Sequence, residues 1–331
     1  MTCTSLRIAS SLVVFLVTSG AESGFAQGLT LSNRIILAKE STFQEELNRA
    51  SAERYRVVTG DAGARLAVLE RDTEGQQRSY VFAPDVEKYL NEKRLEPGLR
   101  LLSPTFGADQ DKFGAIFERV EGDDRLREYR FVRVGSSGAL RKRFEQAGEG
   151  STGVVAVAAG SPGVAVIYET HPDARNAGVI ASGITSTLSD AFRLASEKGH
   201  CIIDSDGSKG PIYVLEPCAA GSTSPDYQVI ATTKTETFEN ELNAAVARGL
   251  RFVPESLIGV EKKALLAAAY NNETVGVVRQ AAGAAPVSYR VLGAVRLATL
   301  AKELDAAGAE GFRVIAFTIG PKESVLVLEK R

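Results

Sequence analysis

Residues 299–315, TLAKELDAAGAEGFRVI, contain the pattern that decides the fold. Leu300, Leu304 and Ala307 recur at helical spacing. Gly311 stands where this helix would end, since glycine adopts the left-handed C-cap conformation without a steric penalty. The residues that follow are mostly apolar or β-branched, which is typical of a strand. The stretch therefore predicts a helix followed directly by a strand.

The same pattern occurs elsewhere in the chain, which indicates an internal repeat. Residues 42–58 (TFQEELNRASAERYRVV) align with residues 299–315 without a gap, and residues 237–253 (TFENELNAAVARGLRFV) form a third clear copy. The last copy is preceded by the apolar run YRVL at 289–292 and followed by VLVLEK at 325–330. Weaker copies occupy the intervening sequence. The order within each copy is therefore strand, helix, strand, strand.

We predict an α+β fold of six tandem β-α-β-β repeats. A small sheet with one helix is too small to be stable alone, so neighbouring copies are expected to share sheets or to pack against each other in a layered array. The fifth copy departs from the pattern. Either residues 264–270 or residues 275–279 supply its last strand, and the other run is an extra helix or an extended hairpin arm. The predicted repeats are 29–72, 78–121, 127–170, 177–219, 226–280 (with an insertion) and 287–331.

The N-terminal segment has the three parts of a signal peptide. Arg7 supplies a positive charge, residues 8–17 form an apolar run of about ten residues, and Gly24 and Ala26 are the small residues of a cleavage site. A membrane-spanning helix needs about 20 apolar residues, and neither this run nor any later one is that long. We therefore expect residues 1–26 to be removed, with cleavage after Ala21 as the alternative. The mature protein is expected to be periplasmic or secreted and to have no stable membrane span.

Cys201 and Cys218 are the cysteines that remain once the signal peptide is removed. The two short strand-like runs between them flank a turn-rich segment at 204–210, so a hairpin would bring the two thiols together. An even pair of cysteines in an oxidising compartment favours a disulfide, which adds about 3 kcal/mol in the chain-entropy model. Two free buried thiols are the alternative.

The clearest copies resemble a small bacterial domain of unknown function. That family has an opening Tyr-Lys-Val strand, a helix ending in Leu-Gly-x-x-Gly-Trp-Glu-Leu, and a closing apolar strand. The last copy matches it with YRVL, with LDAAGAEGF at 304–312, and with a closing strand that ends in VLEK. The residue after the helix is Tyr55, Leu250, His200 or Phe312 here and never Trp. The resemblance implies a β-α-β-β fold for nearly the whole mature chain and assigns no activity.

The composition argues against several classes of function. Lys and Arg number 39 against 41 Asp and Glu, so the chain has no electrostatic footprint for nucleic acid. There are only two histidines, and the sequence contains no phosphate loop, dinucleotide fingerprint or His-Glu-x-x-His motif. His200 is expected to fill an aromatic core position. Residues 204–207 (DSDG) are expected to form a hairpin turn, because the later ligands of a calcium loop are missing. We predict no catalytic, metal-binding or cofactor-binding residue.

A glutamate recurs near the end of the last strand in five copies. A carboxylate repeated at one position could line a common face and bind cations or basic partners. We favour the plainer interpretation, a solvent-facing residue whose charge protects a sheet edge from aggregation. The five residues are Glu70, Glu118, Glu169, Glu216 and Glu329.

Together these observations predict a non-enzymatic binding or scaffold protein of the bacterial envelope, with another envelope protein as its partner. The alternative is a small-ligand carrier with sites in the clefts between repeats, marked by an apolar pocket with a few polar groups. An enzyme is the third and least favoured hypothesis.

Overall fold

The structure is a computed structural model, and it describes ten stretches of the chain. The predicted signal peptide and residues 264–270 lie outside the described residues. The described stretches are 32–73, 75–92, 95–146, 152–170, 177–181, 187–219, 225–260, 273–281, 285–320 and 322–331.

Six β-α-β-β units follow one another along the chain, which confirms the predicted fold class. The first strands of the units are β1 (Asn33–Leu37), β4 (Arg78–Ala83), β8 (Tyr129–Val134), β11 (Gly178–Ala181), β14 (Tyr227–Thr232) and β17 (Ser288–Ala294). The helices are α1 (Glu40–Ala52), α2 (Val86–Glu92), α3 (Ser137–Gln146), α4 (Leu188–Glu197), α5 (Thr235–Ala247) and α6 (Leu297–Ala309).

Two further strands complete each unit. The second strands are β2 (Tyr55–Asp61), the pair β5 (Leu99–Leu101) and β6 (Gly107–Ala108), β9 (Thr152–Gly160), β12 (His200–Asp206), β15 (Leu250–Val260) and β18 (Arg313–Ile319). The third strands are β3 (Leu66–Arg71), β7 (Phe113–Val120), β10 (Gly163–Thr170), β13 (Ile212–Pro217), β16 (Glu273–Gln280) and β19 (Ser324–Lys330). A short 3-10 helix, Ser103–Thr105, separates the two pieces of the second strand in the second unit.

Each unit has its own antiparallel sheet, in which the third strand lies between the first and the second. In the last unit, for example, Leu328 of β19 lies opposite both Arg290 of β17 and Val314 of β18. In the fifth unit the central position belongs to β16, so residues 275–279 supply the last strand.

The six units form a closed ring. Each helix packs against the first strand of the next unit, from α1 on β4 through α5 on β17, and α6 packs on β1. The second strands also contact one another in sequence, except that β2 contacts the 3-10 helix of the second unit, and the last of them, β18, contacts β2. The predicted packing between copies is therefore present, and it closes on itself instead of forming an open array.

Six hydrophobic clusters hold the ring together, each built from two neighbouring units. In the cluster between the first two units, Phe43 and Leu47 of α1 pack with residues of both sheets. The cluster that closes the ring joins Leu304 of α6 to Leu66 and Val68 of β3. Because a helix covers each face of every sheet, the third strands are apolar runs without the alternation of a half-exposed strand.

An irregularity at the same position bends most of the second strands. The register against the third strand shifts between Val57 and Thr59 in β2, and it shifts at the matching place in β9, β12 and β18. In β15 the shift is longer and extends from Val253 to Ile258. A bulge increases twist and bends a strand, so the second half of each strand takes a new direction.

A tyrosine of the following unit fixes the residue just before this bend in three units. The hydroxyl of Tyr80, in β4, accepts a hydrogen bond from the N–H of Val57 in β2 at 2.9 Å. The second unit has the same contact at Leu101, beside its 3-10 helix. The matching bonds are Leu101 N–H to Tyr129 at 3.0 Å, Ile202 N–H to Tyr227 at 3.1 Å and Phe252 N–H to Tyr289 at 3.1 Å.

Polar side chains of the helices cover the exposed edge of the next first strand. Asn243 of α5 accepts the N–H of Tyr289 and donates to its carbonyl, both at 2.9 Å. Asn48 of α1 accepts the N–H of Tyr80 at 3.1 Å. These bonds satisfy backbone groups that a sheet edge would otherwise leave unpaired.

Candidate functional site

A cavity of about 230 Å³ lies on the axis of the ring, where the second strands of the six units converge. Every unit contributes to its wall. The six units contribute, in chain order, the lining residues Asp61, Phe106, Ala159, Asp204, Glu255 and Thr318, among others.

The units approach each other closely beside the cavity. A Cβ atom on Gly259 would lie 2.6 Å from the Cα of Gly320 in the next unit, so only glycine allows this contact. Gly63 meets the backbone of Ala108 in the same way. The wall is therefore built from backbone that is held in direct contact between units.

Three aspartates form the main charged part of the wall. Asp61 ends β2, whereas Asp204 and Asp206 lie two residues apart in the last part of β12. All three are surrounded by protein, yet each keeps part of its surface accessible because it lines the cavity.

Backbone N–H groups hold the three carboxylates in place. Asp204 Oδ2 accepts the N–H of Val157 from the neighbouring unit at 2.6 Å, which ties β9 to β12. Asp61 Oδ1 accepts the N–H of Ala64 at 3.0 Å. Asp206 Oδ1 accepts both the N–H of Ser208 at 2.8 Å and its hydroxyl at 2.6 Å.

Burial raises the pKa of all three groups. The pKa of Asp61 rises from 3.8 to about 6, because burial disfavours the charged form and the negative charges of Asp206 and Asp109 add to the effect. Burial raises the pKa of Asp204 well above its usual range, with smaller contributions from Asp206 and Glu255. Burial also raises the pKa of Asp206. The backbone donors offset only part of this cost.

The cavity aspartates differ from the other buried carboxylates in having no cationic partner. Glu118 accepts hydrogen bonds from Arg100 at 2.6 Å and from Arg78 at 3.1 Å. Asp61, Asp204 and Asp206 form no ion pair within the described stretches, and the cavity wall there contains no Lys, Arg or His. When they are ionised, they therefore carry a negative charge that no described side chain compensates.

The recurrent glutamates do not protect sheet edges, which corrects the interpretation we favoured from sequence. They lie on the third strands, and those strands are central in their sheets. Glu70 and Glu118 are about 1% exposed. The other three, Glu169, Glu216 and Glu329, are half-buried. The edge interpretation was wrong because strand order in a sheet need not follow strand order in the chain.

Most of these glutamates face the tyrosine that contacts the preceding unit. Tyr80 lies opposite Glu118 in the sheet and donates its hydroxyl to that carboxylate at 3.2 Å. Tyr129 lies opposite Glu169, and Tyr289 opposite Glu329. The hydroxyl of each of these three tyrosines also accepts a backbone N–H from the previous unit. The glutamate therefore helps to orient the junction between two units.

Glu70 has a related role where the ring closes. Arg313 of the last unit donates from its Nε to Glu70 Oε1 at 2.9 Å, and Arg56 lies 3.7 Å from the same oxygen. Glu216 lies opposite Cys201. Each glutamate belongs to a different sheet, so the structure does not gather them into one site. Within the described residues, no group of three or more His, Cys, Asp or Glu side chains is arranged to hold a metal ion.

The predicted disulfide is present. Cys201 and Cys218 are bonded, with their Cα atoms 5.0 Å apart, and they join the start of β12 to the residue after β13. The turn-rich segment between them is a hairpin connection, as expected, although β12 continues through Asp206. His200 is half-buried at the start of β12, in the position that Tyr55 has in the first unit.

Comparison with known proteins identifies no relative. No family model matches the chain, and neither the curated proteins nor the solved structures searched contain a match. The resemblance to a bacterial domain of unknown function therefore stays a prediction. None of the helices in the described part of the chain has the length and apolar character needed to cross a membrane.

Sequence reasoning missed the three aspartates. Asp204 and Asp206 were assigned to a turn, and Asp61 was not singled out. One signal was available, because carboxylates at positions 204 and 206 of a strand point to the same side. That signal does not show what they face, since the cavity exists only when six units close into a ring.

Proposed function

We propose that this chain is an exported, non-enzymatic binding protein that holds a small ligand in the axial cavity. The observation that carries the proposal is the cavity itself, to which all six units contribute. It supports the carrier hypothesis, which places a ligand between repeats, over the scaffold hypothesis.

The size and the lining of the cavity indicate what kind of ligand it would hold. Pockets for drug-sized molecules measure about 300–1,000 Å³, so a volume of about 230 Å³ suits a smaller molecule. Phe106 and Leu257 supply apolar surface, while Ser205 and Thr318 add hydroxyl groups to the three carboxylates. The wall is more polar than apolar, unlike the mostly apolar pockets that hold drug-sized ligands, so it suits a small polar ligand.

The chemistry of the wall favours binding over catalysis. The described lining residues include neither histidine nor cysteine, the side chains that most often serve as catalytic base and nucleophile. Export is supported by the N-terminal signal pattern and by the disulfide, because disulfides persist in oxidising compartments.

Native mass spectrometry of the mature chain, purified at native expression from its own host, tests the proposal. We expect an adduct of less than about a kilodalton that survives gentle desolvation. A matched pair of variants locates it. Ile203→Trp fills part of the cavity and should remove the adduct, whereas Leu194→Trp places the same side chain on the outer surface of α4 and should retain it.

Two results would overturn the proposal. The first is an adduct of equal occupancy in both variants, with urea unfolding showing that both are folded. The second is a bare chain that co-purifies with another envelope protein, which would restore the scaffold hypothesis.

A further inference from the structure

We propose that the ligand of the axial cavity is a small organic cation, a protonated amine, bound by Asp61, Asp204 and Asp206. This inference rests on the proposed function, since it assumes that the cavity is the ligand site.

The charge of the wall carries the inference. Three aspartates and Glu255 line the cavity, and no basic side chain faces them in the described residues. Besides burial, the neighbouring negative charges disfavour ionisation here. Asp206 raises the pKa of Asp61, and both Asp206 and Glu255 raise the pKa of Asp204. Elsewhere this chain pairs its buried carboxylates with arginine, as at Glu70 and Glu118. When the cavity carboxylates are ionised, no described side chain supplies that complementary charge, and a bound cation would supply it in place of the protons that their raised pKa values retain.

An ammonium group fits this arrangement better than a metal ion or a neutral molecule. Each ionised carboxylate has about four lone-pair sites, and the backbone and serine donors occupy only some of them. An ammonium group offers three N–H donors to such acceptors, whereas a neutral polyol leaves the negative charge in place. The apolar side chains Phe106 and Leu257 suit the carbon part of an amine and are not metal ligands.

The proposal predicts a dependence of affinity on pH. An amine stabilises the ionised carboxylates, so binding lowers their raised pKa values and releases protons to the buffer. Affinity should therefore fall when the pH is lowered through about 6, where Asp61 takes up its proton. The groups that face Asp61 are Asp206 and Asp109, and Asp109 already pairs with Arg65 at 2.9 Å.

Isothermal titration calorimetry of the mature chain, dialysed extensively at pH 5 to remove bound amine, tests the proposal with four-carbon probes of one length. The probes are butane-1,4-diamine, 4-aminobutan-1-ol, butane-1,4-diol and butanedioate. We expect the two amines to bind at pH 7.5 with proton release, and the diol and the dianion not to bind. Between pH 7.5 and pH 5 the affinity for the amines should fall about tenfold, since one pKa unit corresponds to a tenfold change.

A pair of variants ties the binding to the cavity. Asp61→Asn should weaken the amines about tenfold or more, because it removes one charge and keeps the shape of the side chain. Asp109→Asn, which lies outside the cavity wall, should change the affinity by less than about twofold.

Failure of both amines to bind at pH 7.5, or equal binding of the diol, would overturn the choice of a cation. Equal affinities for wild type and Asp61→Asn would overturn it as well. The proposed function fails separately, and only if native mass spectrometry also finds no ligand in the cavity.

Discussion

Replacing Asp61 by asparagine should make the protein more stable at neutral pH. The pKa of Asp61 rises from 3.8 to about 6 on folding, and each pKa unit corresponds to 1.36 kcal/mol. Keeping Asp61 ionised therefore costs the folded state about 3 kcal/mol at pH 7.5. Asparagine carries no charge, and its Oδ1 can still accept the N–H of Ala64. The gain approaches about 3 kcal/mol as an upper limit, because the cavity wall can relax around the charge.

The sign follows from the protons bound in each state. Between about pH 4 and pH 6 the folded state holds the Asp61 proton while the unfolded state has lost it, so this group makes stability fall as pH rises. Above about pH 6 the penalty is complete, and below pH 4 it vanishes. Urea unfolding of wild type and Asp61→Asn at pH 4.0 and pH 7.5 should therefore show a gain only at the higher pH.

The control and the contrary result are both specific. Asp109→Asn removes the partly exposed ion pair with Arg65 and should cost less than about 1 kcal/mol. If Asp61→Asn were less stable than wild type at pH 7.5, or equally stabilised at both pH values, the electrostatic argument for the cavity would be wrong. A gain at pH 7.5 combined with loss of amine binding would show that the protein gives up stability to keep a functional charge.

Three further predictions concern the ring. Arg54→Gly should raise the free energy of unfolding in urea by about 1 kcal/mol. Arg54 has φ +66° at the position that Gly249 holds in the fifth unit, and glycine adopts this left-handed conformation without the steric cost of a side chain. A loss of stability would contradict this argument. Tyr289→Phe should lower the free energy of unfolding by about 1–3 kcal/mol, because it leaves the N–H of Phe252 unpaired. The control is Tyr213→Phe, whose hydroxyl lies 3.4 Å from the carbonyl oxygen of Ser256. If Tyr289→Phe cost no more than this control, Tyr289 would not hold the junction between the fifth and sixth units. A circular permutant begins at Gly75 and connects the end of β19 to the start of β1 by seven residues, the length of the connection between β16 and β17. It should unfold in one transition, with a free energy of unfolding within about 2 kcal/mol of wild type. If the permutant failed to fold, closure of α6 on β1 would be in doubt.

The repeat unit was predictable because its signals are local. The spacing of Phe43 and Leu47 within one helix, or of Leu300 and Leu304 within another, depends only on neighbours in the chain. The disulfide was predictable for the same reason, since Cys201 and Cys218 are separated by a single hairpin. The candidate site was not predictable in this way. Its charged residues come from units whose positions relative to one another leave no periodic trace in the sequence.

The role of the recurrent glutamates could not be predicted from local sequence patterns. Their repetition was visible in the sequence, but their role depends on strand order and on the next unit. Glu118 meets Tyr80 only because the third strand lies beside the first in the sheet. Glu70 meets Arg313, 243 residues further along the chain, only because the last unit packs on the first.

The sequence by itself determined the kind of unit, its order of elements, the number of copies and one covalent link. These properties follow from hydrophobic periodicity and from turns, which act over a few residues at a time. Only the tertiary structure decided that six units close into a ring and that Asp61, Asp204 and Asp206 share a cavity. The angle between neighbouring units arises from the packing of each helix against two sheets and from the bend in each second strand. Closure is the sum of six such angles, and a cavity on the axis exists only where that sum completes a circle.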